Sequence, residues 1–407
     1  MTAGLDRIVV VGGGIAGVST VSALRDGGYE GELTLVDAGE FPYDRPPLSK
    51  DYLAGAKDLK QIALQPGEWY DDNAIRLVNL TTVAALRSAE GGVELADGTV
   101  LGADRVVLAT GGGAARPSIP GSDSPRVHVL RTSDDADNLR THLVPGARVL
   151  VVGAGLIGAE VASTALDLGC DITVVDPVPL PLLGAVGRDL AAWMHNAHSA
   201  RGITTVMAGV ESFTDTASGI DAQLTGEAET RHFDTVVLGV GMVPVTTLAE
   251  AAGLDVDRGI IVDPGQVTSN PAVLAVGDPT RVRRDGVLLP RTEHWEAAQH
   301  DGQLASATLL GTPPPVATAP WFWTDRHHRH IEAVGSMADP DQTVIRGELG
   351  AESFAAFGLR EDRIVGAVAV DDSNAVRAAR RMIDRAVVVD PVRLADRSTD
   401  LRKLLRG

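Results

Sequence analysis

"IVVVGGGIAGVS", residues 8–19, decides how this chain is read. Four β-branched residues run into a cluster of glycines, and a helix-forming stretch follows. "VLVVGAGLIGAEVAS", residues 149–163, does the same again. Each copy holds G-x-G-x-x-G, as Gly12, Gly14 and Gly17 and as Gly153, Gly155 and Gly158. In a strand-to-helix turn the first glycine permits the bend and the second lets backbone approach a pyrophosphate. The third lets helix and strand pack closely. The helix N-terminus then offers free N–H groups and the positive end of its dipole to the phosphates. "ELTLVD" ends in Asp37 and "DITVVD" in Asp176, each at the tip of a second strand, where a carboxylate meets ribose hydroxyls. Strand, helix, strand and acid fall in order twice, so the chain is expected to bind two dinucleotides. Two such sites imply two redox cofactors exchanging electrons. Asp176 is followed by "PVPLPLLGAVG", with no Arg or Lys before Arg188. A 2′-phosphate there would meet a carboxylate, which predicts NADH over NADPH.

The rest of the sequence suits this frame. With 407 residues, 45 of them Gly, and 44% hydrophobic content, it has material for several α/β cores with tight turns. The net charge of −18 argues against nonspecific binding to nucleic acid or anionic membrane. No apolar run is long enough to span a bilayer. "MTAGLDR" leads straight into the first strand without a leader pattern, so the expectation is a cytoplasmic chain. Cys170 is the sole cysteine, which removes dithiol chemistry, and it reads as a small buried residue.

"FPYDRPPLSKDYL", residues 41–53, reads as a proline-stiffened loop leading to a helix. "RVVLATGGG" and "TVVLGVGMVP" close the two repeats, and "TSNPAVLAVGD" is a further strand before the helix of "EHWEAAQHDGQLASATLL". From Trp321 onward, "HIEAVGS", "TVIRGEL", "SFAAFGL" and "RIVGAVAV" predict antiparallel strands, with helices at "NAVRAARRMI" and "TDLRKLL".

Taken together, these stretches resemble the FAD-dependent, NADH-dependent ferredoxin reductases that serve Rieske oxygenases and cytochrome P450s. "PYDRPPLSKDYL", "EHW", "WFWTD" and "DDSNAVRAARRMI" carry the likeness more specifically than the glycines do. The resemblance implies an α/β, glutathione-reductase-like fold with two Rossmann-like domains and a C-terminal α+β domain. The implied division is an FAD-binding domain at 1–113 and 245–320, an NAD-binding domain at 114–244 and a C-terminal domain at 321–407. It implies FAD at the first fingerprint and NAD at the second. Asp37 would meet the adenosine ribose, and Arg45 and Lys50 would lie beside the flavin. Thr110 and Gly111 would line the FAD cleft, and Asp278 would meet the ribitol or pyrophosphate. Trp295 and Trp323 would flank the isoalloxazine. Glu160 would sit by the nicotinamide and pair with Lys50. Gly241 would belong to the NAD site. Lys50, Glu160 and Trp295 are the catalytic candidates, since a flavin gains negative charge as hydride arrives and a nearby ammonium stabilises it. The implied partner is a [2Fe–2S] ferredoxin, which in turn supplies an oxygenase or P450. After "ATG" the segment "GGAARPSIPG" departs from the family's pattern, with Arg116 as the replacement cation. "AVGDPT" and "WFWTDRHHRH" depart as well.

Blander readings stand beside these. His327, His328 and His330 suggest a metal cluster, but no further ligands keep ligand spacing, and a solvated or partner-facing strand is the better reading. Lys50 taken alone reads equally well as a surface lysine. Residues 377–407 hold nine basic and four acidic residues. They form a solvated helix face or, with Arg326 and Arg329 beside Arg377, Arg380 and Arg381, a docking surface for an acidic carrier. The functional alternatives are a reductase with a small-molecule or rubredoxin acceptor, and a low-turnover redox sensor.

Overall fold

The computed structural model describes residues 5–87 and 91–405. Arg406, counted above among the basic residues, lies outside them. The chain forms two compact units: residues 1–45, 57–113 and 242–316, and residues 46–56, 114–241 and 317–407.

In the first unit, five parallel strands stand in the order Val273–Ala275, Arg105–Leu108, Arg7–Val11, Glu32–Val36 and Ile75–Val78. Ile8, Val10, Leu33 and Leu35 bury one face of this sheet under the helices Ile15–Asp26 and Trp295–Leu310. Those helices approach closely at Gly302, where a Cβ would come within 2.6 Å of the Ala16 carbonyl oxygen. Val9, Val11, Val106 and Leu108 bury the other face against a three-stranded antiparallel sheet and the helix Thr247–Ala251. Strands buried on both faces explain the uninterrupted β-branched runs in the sequence.

The second unit repeats the parallel sheet, in the order Thr204–Val206, Asp171–Val175, Arg148–Val152, Thr235–Leu238 and Val127–Val129. It also carries a five-stranded antiparallel sheet, ordered Trp321–Arg326, Arg329–Gly335, Arg363–Val370, Phe354–Arg360 and Gln342–Arg346. The helix Ser373–Asp384 covers one face through Ala375, Val376, Ala379 and Met382. The other face receives Val186, Leu190 and Met194 from the Leu183–Val186 and Arg188–Ala200 helices. This shared core joins the second Rossmann-like layer and the C-terminal layer into one unit.

Two local expectations need correction. Residues 46–56 form a 3-10 turn, Pro46–Ser49, and a single helical turn closed by Ala54 N–H donating to the Lys50 carbonyl at 2.8 Å. Gly55 at φ +72° ends the turn, so no longer α-helix grows. His327 and His328 are not strand residues either. They form the two-residue turn between Trp321–Arg326 and Arg329–Gly335, at φ +53° and +58°. The sequence hides this turn because neither residue is a Gly or Asn.

Candidate active site

Both glycine turns divide the labour as the spacing predicts. Gly12 and Gly153 sit at φ +112° and +98°. A Cβ on Gly17 would strike the Gly12 carbonyl oxygen at 1.9 Å, and one on Gly158 the Gly153 oxygen at 2.0 Å. A Cβ on Gly14 or Gly155 would meet nothing within 4 Å. The middle glycine of each turn therefore faces open space at the start of a helix with no side-chain cap, Ile15–Asp26 and Leu156–Asp167. That is the cradle a pyrophosphate needs. Asp37 Oδ1 accepts from Gly13 N at 3.1 Å, and Asp176 Oδ2 accepts from Ala154 N at 2.8 Å. Each acid thus stands beside its own glycine turn. Asp176 Oδ1 also accepts from Val178 N at 2.8 Å. Gly241, at φ +110°, has open space on its Cβ side too.

In the first unit, Trp295 opens the Trp295–Leu310 helix and its Nε1 donates to Asp44 Oδ1 at 2.8 Å. The Arg45 guanidinium lies 5.8 Å from the Tyr43 ring centroid. Thr110 Oγ1 donates to the Val245 carbonyl at 2.7 Å, and the Gly111 carbonyl accepts from Val245 N at 2.9 Å. Asp278 follows the Val273–Ala275 strand by three positions and is partly exposed. Its neighbour Asp301, which sequence reasoning missed, accepts from Gly277 N at 3.2 Å and from Gln266 Nε2 at 3.3 Å. Burial pushes the Asp301 carboxyl up to about 7, with the Asp278 charge adding to the rise against the Gly277 hydrogen bond.

The second unit assembles the densest cluster. Glu160, 6% exposed, projects from the Leu156–Asp167 helix. Its Oε2 accepts from Ser49 Oγ at 2.5 Å. Its Oε1 accepts from Thr324 Oγ1 at 2.7 Å, from Asp325 N at 3.1 Å and from Lys50 Nζ at 3.4 Å. Lys50 Nζ also donates to Asp325 Oδ2 at 2.9 Å and lies 5.6 Å from the Trp323 ring. Trp323 stacks on Trp321, with centroids 5.0 Å apart. The expected Lys50–Glu160 pair is present, and Asp325 makes it a triad. The missed signal was the period-2 alternation in "WFWTD", which sets Trp321, Trp323 and Asp325 on one face of the strand. Burial opposes the Asp325 charge, yet hydrogen bonds from His330 and Lys50 hold its pKa below the ordinary value. An ammonium between two carboxylates is a fixed positive centre that needs no solvent to hold it.

Other candidates land elsewhere. Arg326, read as part of a docking face, is 5% exposed. Burial draws its guanidinium down to about 10, with Glu160 opposing. The strand alternates, so Arg326 faces opposite Asp325, into the core. Arg329 is held by Asp371 and by the carbonyls of Ala351 and Glu352. Arg377 and Arg381 are exposed on the Ser373–Asp384 helix, and the partly exposed Arg380 donates to Thr318 Oγ1. Arg116 donates to the carbonyls of Ser122 and Val127, so its charge serves its own loop. His327 is buried: its backbone N–H donates to Ser163 Oγ at 2.7 Å, and Nε2 lies 3.0 Å from His198 Nδ1. Burial lowers these imidazoles to about 4 and about 3. Among the described residues no cluster of three or more His, Cys, Asp or Glu could hold a metal. Cys170 is buried, and burial raises its thiol to about 11. Among the described residues no helix is long and apolar enough to cross a membrane.

Residues 6–302 match the pyridine nucleotide-disulphide oxidoreductase family, and residues 321–405 match the reductase C-terminal family. The ferredoxin–NAD(+) reductase component of the anthranilate 1,2-dioxygenase system of Burkholderia cepacia is 38% identical, over 98% of this chain and 99% of its own. The ferredoxin reductase for the CYP199A2 system of Rhodopseudomonas palustris superposes with a TM-score of 0.91. It is 32% identical, over 98% of this chain and 99% of its own. Putidaredoxin reductase in its covalent complex with putidaredoxin gives a TM-score of 0.90. Its identity is 31%, over 98% of both chains.

Proposed function

The chain belongs to the pyridine nucleotide-disulphide oxidoreductase family, among its ferredoxin–NAD(+) reductases, and on that premise we propose how its own residues do the work. It is an oxidoreductase that passes electrons from NADH through FAD to a ferredoxin, which supplies a Rieske oxygenase or cytochrome P450. Bound FAD supplies the conversion of a two-electron donor into single electrons. The two cradles at Gly14 and Gly155, each open where a pyrophosphate lies, carry this reading.

Gly12, Gly14 and Gly17 hold the FAD pyrophosphate. Asp37 keeps Oδ2 for the ribose while Oδ1 stays on Gly13 N. Arg45, Thr110, Gly111, Asp278 and Trp295 serve the same cofactor, and the Asp44 hydrogen bond fixes the Trp295 indole. Gly153, Gly155, Gly158 and Gly241 hold NADH, and Asp176 admits the free ribose and repels a 2′-phosphate. Lys50 Nζ is held between Glu160 and Asp325 and would present its positive charge as hydride is transferred. Trp323 covers the Lys50 ammonium and keeps water from it. We assign FAD binding to residues 1–113 and 245–320, NAD binding to 114–244 and carrier docking to 321–407, and place the protein in the cytoplasm.

The test is direct. Purified protein should release about one FAD per chain on denaturation. NADH should bleach the flavin anaerobically, and an oxidised [2Fe–2S] ferredoxin should then restore it in one-electron steps. Protein that takes up no FAD, or a reduced flavin that no ferredoxin reoxidises, refutes the assignment.

A further inference from the structure

The hydrogen-bonded chain does not end at Asp325. Antiparallel register sets His330 opposite Asp325, and Glu332 opposite Trp323, on the face that carries the two tryptophans. His330 Nδ1 lies 2.6 Å from Asp325 Oδ1, while the other oxygen of that carboxylate holds Lys50. His330 Nε2 lies 3.5 Å from Glu332 Oε2, and Glu332 Oε1 accepts from Trp321 Nε1 at 3.0 Å. The His330 side chain is 40% exposed, so the outer end of the chain meets solvent.

The charges around the ring come from every side. Arg329 and Glu332 share its strand, Asp325 faces it from the paired strand, and Lys50 comes from the 46–56 segment. Asp371, just past the Arg363–Val370 strand, accepts from His330 N at 2.9 Å and pairs with Arg329. Behind them stand Glu160 and buried Arg326. Arg329 and Asp371 cancel each other. Lys50 and Arg326 then oppose Glu160, Asp325 and Glu332, which leaves one negative charge in excess. Protonated His330 would balance it.

We propose that His330 is the positioning residue that sets how the Lys50 ammonium is shared between Asp325 and Glu160. The proposal rests on the reading of Lys50 as the cation of the hydride step. As an imidazolium, His330 satisfies Asp325 through Oδ1, which weakens the pull of Oδ2 on Lys50 and frees its charge for the reaction. As a neutral ring it offers Asp325 a hydrogen bond without a charge, which leaves more of the carboxylate's charge to Lys50, and the ammonium is better compensated.

The chain has only four lysines, so [13Cε]lysine labelling resolves Lys50. In the purified holoenzyme the Lys50 resonance should differ between His330→Arg, a permanent cation, and His330→Gln, a permanently neutral side chain. The rate constant for flavin reduction by NADH should be about threefold higher in the Arg variant than in the Gln variant. A Lys50 resonance that is the same in the two variants, or equal reduction rates in them, overturns the proposal. A holoenzyme whose variants show the Lys50 difference and which is reduced by NADH, yet reduces no ferredoxin, overturns the proposed function instead.

Discussion

Lys50 Nζ stands 3.4 Å from Glu160 Oε1, and the two residues are separated by 110 positions in the chain. The ammonium is 16% exposed and the carboxylate 7%. A cation held this way changes the rate of a charge-developing step more than it changes cofactor retention. Lys50→Met should slow flavin reduction by NADH about tenfold while FAD stays bound. The value lies at the low end because two carboxylates already compensate the charge. Stopped-flow absorbance measures the rate, and an unchanged rate would mark Lys50 as a bystander.

Removing the other partner should act on stability. Glu160→Ala leaves Thr324 Oγ1 and Asp325 N without this acceptor, and Ser49 Oγ with only the Pro46 carbonyl. The loss should be about 3 kcal/mol in urea unfolding. Glu160→Gln, which keeps an oxygen for these donors, should lose less than half of that.

Asp176 has two tasks. It ties the second glycine turn through Ala154 N, and in the proposed function it faces the NADH ribose. Asp176→Ala with Pro177→Arg should raise kcat/KM for NADPH relative to NADH by about tenfold or more. KM for both nucleotides should also rise, because the turn loses its tether. A wild-type enzyme that favours NADPH would contradict the role given to this acid.

Asp301 makes stability depend on pH. Its folded pKa, about 7, lies above the ordinary carboxylate value. Between about pH 4 and pH 7 the folded chain holds a proton that the unfolded chain has lost. Stability therefore falls as pH rises through that window, by up to about 4 kcal/mol. Asp301→Asn should abolish this component. Its amide can still accept from Gly277 N and can donate to Gln266 Oε1, which is buried without a hydrogen-bond partner among the described residues. Urea midpoints at pH 5 and pH 8 should differ more in the wild type than in the variant; equal differences would place the titration elsewhere.

The ferredoxin should meet the Ser373–Asp384 helix, whose outer side carries Arg377 and Arg381 with Arg380 beside them. The chain is acidic overall, but at physiological salt charges beyond about 8 Å are largely screened, so the nearest ones decide. Neutralising Arg380 and Arg381 together should lower kcat/KM for ferredoxin several-fold and weaken its salt dependence, while flavin reduction by NADH stays intact. Equal salt sensitivity toward a small neutral acceptor would dismiss this face.

Much of this protein is written locally. The apolar, Val-rich runs before Gly12 and Gly153 must be buried strands, and each glycine spacing sets a turn geometry that depends on a few adjacent residues. Asp37 and Asp176 follow because a strand of known length places its last residue beside the turn. Cys170 reads as buried from its residue type alone. Asp325 and His330 are different. Neither has a local signature, and their meeting with Lys50 depends on a hairpin register and on a turn made by two histidines. The same register turns Arg326 inward, away from the surface that its charge suggested. Period-2 alternation tells which residues share a face, but only packing against other elements decides which face is buried. The 46–56 segment likewise stays short of a helix because Gly55 takes a left-handed conformation after one turn. Its Ser49 hydroxyl then finds Glu160 only once the Leu156–Asp167 helix is in place, and that contact is a product of the tertiary structure.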